Sequence, residues 1–316
     1  MRSRSLDLVR FIYMLIICLW HTGWAASLCK GYSPVEFFFL TSGFFLYRSS
    51  EKTNSIPSYL KSRLKRLYPA YFISLILYVV LLSDNYRVKD FIYEMSLTQN
   101  FVHIAGMNCA NRVVWYVSVL LWAGLLILLV LRLTKNIAVL LVSALSIYCW
   151  MLSCCGTFND TFVNWGVIHL PFWRGFAGLL LGAVLAQIYA YIKSNQVGTT
   201  YMCLLGAMGI IAFGLSLVLM FLPYETELLS LICYCIIILA CMSCKDLFPK
   251  IRLKIPDITY EMFLLHLLVI KVAVKILDKI GLIDVIVLKY MTYFILLVII
   301  SYLFNRVVNS LISKMS

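Results

Sequence analysis

Long apolar stretches separated by short polar connections run along nearly the whole chain. A membrane-spanning helix needs about 20 mainly apolar residues, and fewer where flanking polar side chains reach the membrane interface. On this criterion the pattern predicts about ten transmembrane helices. They cover residues 7–27, 33–48, 67–83, 112–131, 136–155, 170–192, 200–222, 227–244, 257–277 and 284–305. The predicted fold is therefore all-α, a polytopic integral membrane protein in which residues 84–111 form a polar loop with room for a short amphipathic helix.

Composition agrees with a membrane protein built as one domain. Hydrophobic residues make up 63% of the 316 residues and charged residues 13%, and the mean hydropathy is +0.93. These values lie outside the range of soluble globular domains. No internal repeat or low-complexity tract interrupts the pattern. We therefore expect residues 1–316 to form a single membrane domain.

The net charge of +13 is distributed in a way that argues against nucleic-acid binding. Basic residues concentrate in alternate short connections, above all in residues 48–66 and 245–254. The opposite loops hold acidic residues, namely Asp84, Asp90, Glu94, Asp160, Glu225 and Glu227. Cytoplasmic loops of membrane proteins carry an excess of Lys and Arg. With an even number of spans, this asymmetry predicts that both termini are cytoplasmic.

The first predicted helix carries three polar side chains, Asp7, Arg10 and His21. At about 100° per residue, Arg10 and His21 project from one helix face, about 16 Å apart along the axis. Asp7 is close enough to pair with Arg10. A charge deep in a spanning helix costs about 2.5–3.5 kcal/mol on insertion scales, so such groups normally face a protein interior or a cavity. The alternative is an Arg10 that reaches the cytoplasmic interface and a His21 that packs in the core.

Two further segments carry candidate site residues. Glu36 enters an aromatic helix, where an interfacial carboxylate near the positive end of the helix dipole is the simpler interpretation. Arg63 and Arg66 share a helix face just before the third predicted span. Paired guanidinium groups suit phosphates, although a basic cluster that contacts anionic lipid fits the same pattern.

Polar groups inside later predicted spans complete the set of candidates. They are Trp115, Tyr116, Ser118, Arg174, Tyr260 and His266. Trp and Tyr at the start of a span are usually interfacial, and a single buried His is usually a packed, hydrogen-bonded residue. Arg174 is harder to explain in that way, because a buried guanidinium needs an acceptor or a substrate.

Other catalytic and metal-binding signatures are missing from the sequence. There is no Gly-rich phosphate loop, no HExxH, no GxSxG and no zinc-ligand spacing. Cys241 and Cys244 have CxxC spacing, but no cluster of His or carboxylate residues accompanies them. We interpret the cysteines as helix-packing residues and expect no metal site.

Together these segments resemble the acyltransferase 3 family, integral-membrane acyltransferases that include bacterial O-antigen and exopolysaccharide O-acetylases. The opening SLDLVRF, with Arg10 and then His21 after ten intervening residues, is similar to the family's first-helix signature. VEFFFLTSGFFLY resembles its second segment, and RLKRLYPAYF its Arg-x-x-Arg element. WYVSVLLWA, RGFAGLLLG and ITYEMFLLH resemble three later segments in the expected order. The resemblance extends from residue 5 to about residue 275.

The resemblance implies an O-acyltransferase in the bacterial plasma membrane. Its donor would be cytoplasmic acyl-CoA, acetyl-CoA by the family's default, and its acceptor a hydroxyl of a carbohydrate or lipid-linked glycan precursor. We expect Arg63 and Arg66 to bind the donor phosphates, Arg10 to orient the pantetheine or thioester, and His21 to act as general base. A covalent acyl-histidine relay stays open. The other partner is membrane lipid, and no nucleic acid is expected.

The remaining candidates receive looser roles. Arg174, Trp115 and Tyr116 would stabilise an oxyanion or stack on a sugar, with Ser118, Tyr260 and His266 as further substrate contacts. Many family members have an acidic residue soon after the Trp-x-x-Ser element, whereas here Val119, Leu120 and Leu121 follow Ser118. A catalytic carboxylate would then have to be Glu36.

A transporter or flippase is the alternative function, since intramembrane ionisable groups also line substrate and proton paths. The chain shows neither an inverted repeat nor paired Gly- or Pro-interrupted helices in corresponding halves. These features favour the acyltransferase.

Overall fold

The computed structural model describes residues 3–23, 29–52, 55–82, 87–99, 101, 109–159, 164–165, 168–222, 225–244, 247–248, 257–282 and 285–315. Helices dominate this part of the chain. They are α1 Arg4–His21, α2 Val35–Ser50, α3 Ile56–Leu82, α4 Val88–Met95, α5 Trp115–Leu133, α6 Ile137–Cys155, α7 Leu170–Ser194, α8 Thr199–Leu219, α9 Glu227–Ser243, α10 Thr259–Lys279 and α11 Ile286–Met315. A short 3₁₀ turn, Arg112–Val114, precedes α5, and two-residue strands β1 Asn164–Trp165 and β2 Ile168–His169 pair antiparallel before α7. The predicted all-helical fold is confirmed apart from this small hairpin.

Six helices of the described chain are long and apolar enough to cross a membrane, namely α3, α5, α6, α7, α8 and α11. Helix α9 is apolar but shorter. Helix α2 has 16 residues, about 24 Å of rise against a hydrocarbon core of about 30 Å. Helices α1 and α10 carry charged residues within their length. An integral membrane protein is supported, whereas ten spans and cytoplasmic termini stay predictions.

The third predicted span is wrong at its start, because α3 begins at Ile56 rather than at residue 67. Part of the predicted basic connection 48–66 is therefore helical, and Pro69 lies inside the helix. Tyr59, Arg63 and Leu67 follow one another at helical spacing, and their side chains line an internal cavity. The basic segment therefore forms a cavity-lining face of the helix. Helix α11 similarly continues to Met315, ten residues past its predicted end at 305.

The polar loop predicted at 84–111 contains the amphipathic helix α4. The first predicted span is shorter than expected, since α1 ends at His21. Its last residues, 24–27, lie outside the described part of the chain, as do Asp84 and Asp160 of the acidic loops and most of the 245–254 connection.

Helices α2 and α7 approach each other closely enough for their backbones to touch. A Cβ atom added to Gly43 would lie 2.2 Å from the carbonyl oxygen of Leu179, and one added to Gly182 would lie 2.2 Å from that of Leu40. Small residues permit such close packing of helices in membranes. The glycines of the two segments therefore hold α2 against α7.

Helix α1 packs into two separate hydrophobic cores. Val9 and Tyr13 join one core with side chains of α2, α5, α6, α7 and α9. Ile17 and Cys18 join a second core with side chains of α3, α10 and α11. Helix α1 therefore lies where the two cores meet.

Candidate active site

A cavity of about 910 Å³ lies where six helices meet. Residues of α1, α2, α3, α5, α10 and α11 line it. Its volume falls at the upper end of the usual range for ligand pockets, about 300–1,000 Å³. Seven of the eleven candidate site residues line it, namely Arg10, His21, Arg63, Arg66, Trp115, Tyr116 and Tyr260. The fold thus brings together segments separated by up to 250 residues.

One stripe of α1 lines the cavity along the whole length of the helix. Ser3, Asp7, Arg10, Met14, Ile17 and His21 follow one another at spacings of three and four residues and all border the cavity. This is the periodicity of a single helix face. The prediction that Arg10 and His21 share a face is confirmed, and that face looks into a cavity rather than into a dry core.

The cavity has both charged and apolar lining. Arg10, Arg63 and Arg66 supply positive charge to it. Hydroxyl side chains of α2 and α3 border the same cavity, namely Ser42, Ser49, Ser50, Ser58 and Ser62. Between Arg10 and His21 the α1 stripe is apolar, with Met14 and Ile17, and Val35, Phe38 and Val113 add further apolar lining. The guanidinium groups suit an anionic group, and the apolar lining suits an uncharged chain.

Arg10 and Arg63 have surroundings that leave them able to bind a ligand. The Nε atom of Arg10 is buried and has no hydrogen-bond partner among the described residues. The Arg63 guanidinium lies over the ring of Tyr59, 5.4 Å from its centroid. Such a cation–π contact orients the guanidinium without neutralising it.

An acidic and amide-lined wall from α10 and α11 also borders the cavity. The Asn305 side chain donates to Oε1 of Glu261 at 2.7 Å, and the Asn309 amide donates to Oδ1 of Asn305 at 2.9 Å. Tyr260 donates its hydroxyl proton to the backbone carbonyl of Leu67 at 3.0 Å, which ties α10 to α3. The two asparagines were not predicted as site residues, although their spacing of four residues places them on one face of α11.

Glu36 and Arg174 do not line the cavity but form a buried ion pair behind it. Arg174 is 2% exposed and Glu36 1%, and the Arg174 Nε donates to Oε1 of Glu36. The hydroxyl of Tyr148 donates to Oε2 of Glu36 at 2.7 Å, and Nη2 of Arg174 donates to the carbonyl of Tyr32 at 3.1 Å. The acceptor that the buried guanidinium requires is therefore a protein carboxylate.

The sequence predicted Glu36 as a catalytic carboxylate, but both of its oxygens are engaged by Tyr148 and Arg174, so neither is free to act as a base in this structure. Arg174 reaches the cavity only indirectly, because its guanidinium lies 6.0 Å from the centroid of the Trp115 ring, and Trp115 lines the cavity. The ion pair thus positions an aromatic wall residue. Tyr148 had no signal in the sequence, since it is one tyrosine within an apolar helix.

Ser118 also points away from the cavity. Its hydroxyl donates to the carbonyl of Leu97 at 2.6 Å, and Nε1 of Trp122 donates to the same oxygen at 2.9 Å. Leu97 has a positive φ of 56°, which is strained for a residue with a branched side chain. The two bonds hold this turn after α4 against α5, so Ser118 has a structural contact here.

His266 is fully buried on α10 and lies directly beside His21. The centroids of the two rings are 4.9 Å apart, with the ring planes tilted by 47°. His21 also contacts the indole of Trp20 at a centroid distance of 4.8 Å. His21 therefore contacts two rings while it borders the cavity.

In the described part of the chain, no three His, Cys, Asp or Glu side chains cluster as a metal site would require, and the absence of a metal stays a prediction. The cysteines there are free thiols. The cavity offers an imidazole, guanidinium groups, hydroxyl groups and aromatic faces, which suit group transfer.

Comparison with known proteins identifies the family. No curated protein and no solved structure matches the chain. The family described as acyltransferase domain, acyltransferase 3, matches residues 3–306, nearly the whole length. This range contains every residue that lines the cavity except Asn309. The protein therefore belongs to the acyltransferase 3 family and is a membrane acyltransferase.

Proposed function

We propose that the protein transfers an acyl group, acetyl in the simplest case, from cytoplasmic acyl-CoA to a hydroxyl group of a carbohydrate or lipid-linked glycan. One observation carries the proposal: a single cavity is bordered by three arginines and by a histidine at the C-terminal end of α1. A donor with a phosphate-bearing end and a thioester end fits that lining. Family membership supports the acyl transfer, and the cavity chemistry supports the donor.

The donor would enter with its phosphates between Arg63 and Arg66. Guanidinium groups bind phosphate oxygens through paired, charge-assisted hydrogen bonds. Arg10 lies on the next wall of the cavity, and its Nε has no partner among the described residues, so it would bind an amide or thioester carbonyl further along the donor. The helical rise places His21 about 16 Å beyond Arg10. The apolar lining between them suits an extended thioester arm.

His21 would act on the acceptor hydroxyl. It removes the hydroxyl proton while the oxygen attacks the thioester carbonyl carbon, so that a new carbon–oxygen bond forms and the carbon–sulfur bond breaks. The same imidazole returns the proton to the leaving thiolate. The products are an O-acyl ester and the free thiol of CoA, and general-base assistance of this kind contributes about 10²–10⁴-fold.

The aromatic wall would bind the acceptor. Trp115, Tyr116 and Phe263 border the cavity together, and the rings of Tyr116 and Phe263 lie 5.4 Å apart. Flat aromatic faces are suited to the apolar faces of sugar rings. We propose this wall, with Tyr260 beside it, as the acceptor subsite.

The proposed setting is the bacterial plasma membrane, with about ten spans and both termini in the cytoplasm. The part of the cavity lined by Arg10, Arg63 and Arg66 would then face the cytoplasm, where acyl-CoA is found. His21 lies toward the opposite side, from which a glycan under assembly at the outer face would approach.

The test uses inverted membrane vesicles that contain the protein, with radiolabelled acetyl-CoA outside and label measured in the polysaccharide and glycolipid fractions. The unchanged protein should transfer label, and His21→Ala should lower transfer by about 100-fold or more. His169→Ala is the matched control, because His169 does not line the cavity, and it should keep most of the activity.

Two results would contradict the proposal. Full activity of a folded His21→Ala protein would exclude His21 as the base. An unchanged sugar that crosses reconstituted vesicles, with no label transferred by the intact protein, would favour the transporter alternative.

A further inference from the structure

His266 is a buried histidine that does not line the cavity, yet it has a ring contact with the candidate base. It is 0% exposed, and its ring lies 4.9 Å from that of His21. The position is unusual for a packing residue, because an imidazole carries two polar nitrogens and both need partners when buried.

The geometry determines which nitrogen of His266 carries the proton. Nδ1 lies 2.7 Å from the carbonyl oxygen of Phe263 and 3.3 Å from that of Met262. A carbonyl oxygen only accepts hydrogen bonds, so Nδ1 must be the donor. In the neutral ring Nε2 then has a lone pair and is an acceptor.

That acceptor is left without a partner. Nε2 of His266 is buried and makes no hydrogen bond among the described residues. Leaving such an atom unsatisfied is unfavourable, and solvent does not reach it in this structure. The His21 ring lies 4.9 Å away between centroids, and an imidazole N–H is a donor of the kind that Nε2 lacks.

We propose that His266 is a positioning residue for His21. One ring nitrogen of His21 donates its proton to Nε2 of His266, and the other nitrogen is thereby left unprotonated towards the cavity. The backbone carbonyl of Phe263, through Nδ1 of His266, fixes the tautomer of both rings. This inference rests on the proposed function, since it assigns the catalytic nitrogen of His21 by its neighbour.

The protonation state of His266 is the same before and after the reaction. When the free nitrogen of His21 takes the acceptor's hydroxyl proton, its other N–H remains bonded to His266, which neither gains nor loses a proton. The proton on His21 then goes to the thiolate released by cleavage of the carbon–sulfur bond. His266 serves as a neutral counterpart of the carboxylate that orients the histidine in hydrolytic triads.

Two amide substitutions at His266 separate its two nitrogens. In His266→Asn the amide occupies the place of Nδ1 and keeps the bond to Phe263, but the Nε2 acceptor is lost. In His266→Gln the amide reaches the place of Nε2 and can accept from His21. The test measures kcat and KM for acetyl-CoA of both proteins in the vesicle assay, with the yield of folded protein measured in parallel.

The positioning role predicts a specific pattern. His266→Asn should fold and lower kcat by about 10- to 100-fold, within the range of general-base assistance, without changing KM for acetyl-CoA. His266→Gln should recover most of the loss. Wild-type kcat in His266→Asn, or an equal loss in both variants, would overturn the proposal.

A second measurement does not depend on turnover. The chain has four histidines, so ¹⁵N-histidine labelling followed by solid-state NMR in lipid gives few signals, which single substitutions assign. His266 should show a protonated Nδ1 and a bare Nε2, and His266→Asn should change the protonation pattern of His21. A protonated Nε2 in an active protein would overturn the pairing alone, whereas the expected NMR pattern in an inactive protein would overturn the proposed function alone.

Discussion

A single buried guanidinium shows how charge is accommodated in this protein. Arg174 lies within α7 and is satisfied by Glu36 and the carbonyl of Tyr32, while Tyr148 satisfies the second oxygen of Glu36. Removing one member of such a pair leaves an uncompensated buried charge, which usually costs more than the intact pair contributes.

Arg174→Met should therefore destabilise the protein by about 3–5 kcal/mol. Tyr148→Phe removes a single hydrogen bond to the same carboxylate and should cost about 1–3 kcal/mol. Chemical unfolding in detergent, followed by tryptophan fluorescence, measures both. Equal stability of Arg174→Met and the unchanged protein would contradict the assignment of this pair as structural.

The two arginines of α3 permit a matched comparison with a lysine beside them. Arg63 and Arg66 line the cavity, whereas Lys65 is exposed on the same turn and does not. Arg63→Ala and Arg66→Ala should each raise KM for acetyl-CoA by about tenfold, the equivalent of about 1.4 kcal/mol, in the range of a charge-assisted hydrogen bond.

Lys65→Ala should leave KM for acetyl-CoA unchanged. Arg66→Lys should recover only part of the loss, because an ammonium group lacks the planar fork of a guanidinium. Equal effects of Lys65→Ala and Arg66→Ala would indicate diffuse attraction by a basic surface instead of a defined phosphate site.

At the scale of helices, the contact between α2 and α7 supports one wall of the cavity, since Thr41 and Ser42 of α2 line the cavity next to the glycine that meets α7. Added volume at Gly43 would push against backbone atoms of α7, which cannot move aside as a side chain can. Backbone contact thus makes the position of α2 sensitive to a single methyl group.

Gly43→Ala should destabilise the protein by about 1–3 kcal/mol through overpacking. The control is Gly214→Ala in α8, where an added Cβ meets nothing within 4 Å. That substitution should be neutral or stabilising by about 0.5–1 kcal/mol, because alanine favours helices over glycine. Thermal unfolding of both proteins in the same detergent measures the difference, and equal effects would contradict the close contact.

At the scale of the whole molecule, the predicted membrane topology has a direct test. With about ten spans, epitope tags at the two termini should both lie on the cytoplasmic side, and a tag within residues 84–87 should lie outside. Protease protection in right-side-out and inverted vesicles measures this. Termini on opposite sides would require an odd number of spans and would contradict the predicted orientation.

Much of the cavity lining could be predicted from the sequence, because it follows the periodicity of single helices. The stripe from Asp7 to His21 follows from the pitch of one helix, and the shared face of Arg63 and Arg66 follows in the same way. The start of α3 was not predicted, because the basic residues before Pro69 resembled a connection. The tertiary structure shows that this segment is the first part of α3 and that its arginines line the cavity.

The sequence by itself determined the helical membrane fold, the family and the polar face of α1, since all three follow from hydrophobic period and from residues close together in the chain. Only the tertiary structure decided that Glu36 binds Arg174, 138 positions away, and that His266 lies beside His21. A buried polar group reveals in the sequence that it needs a partner, but which partner it finds depends on how helices distant in sequence pack together.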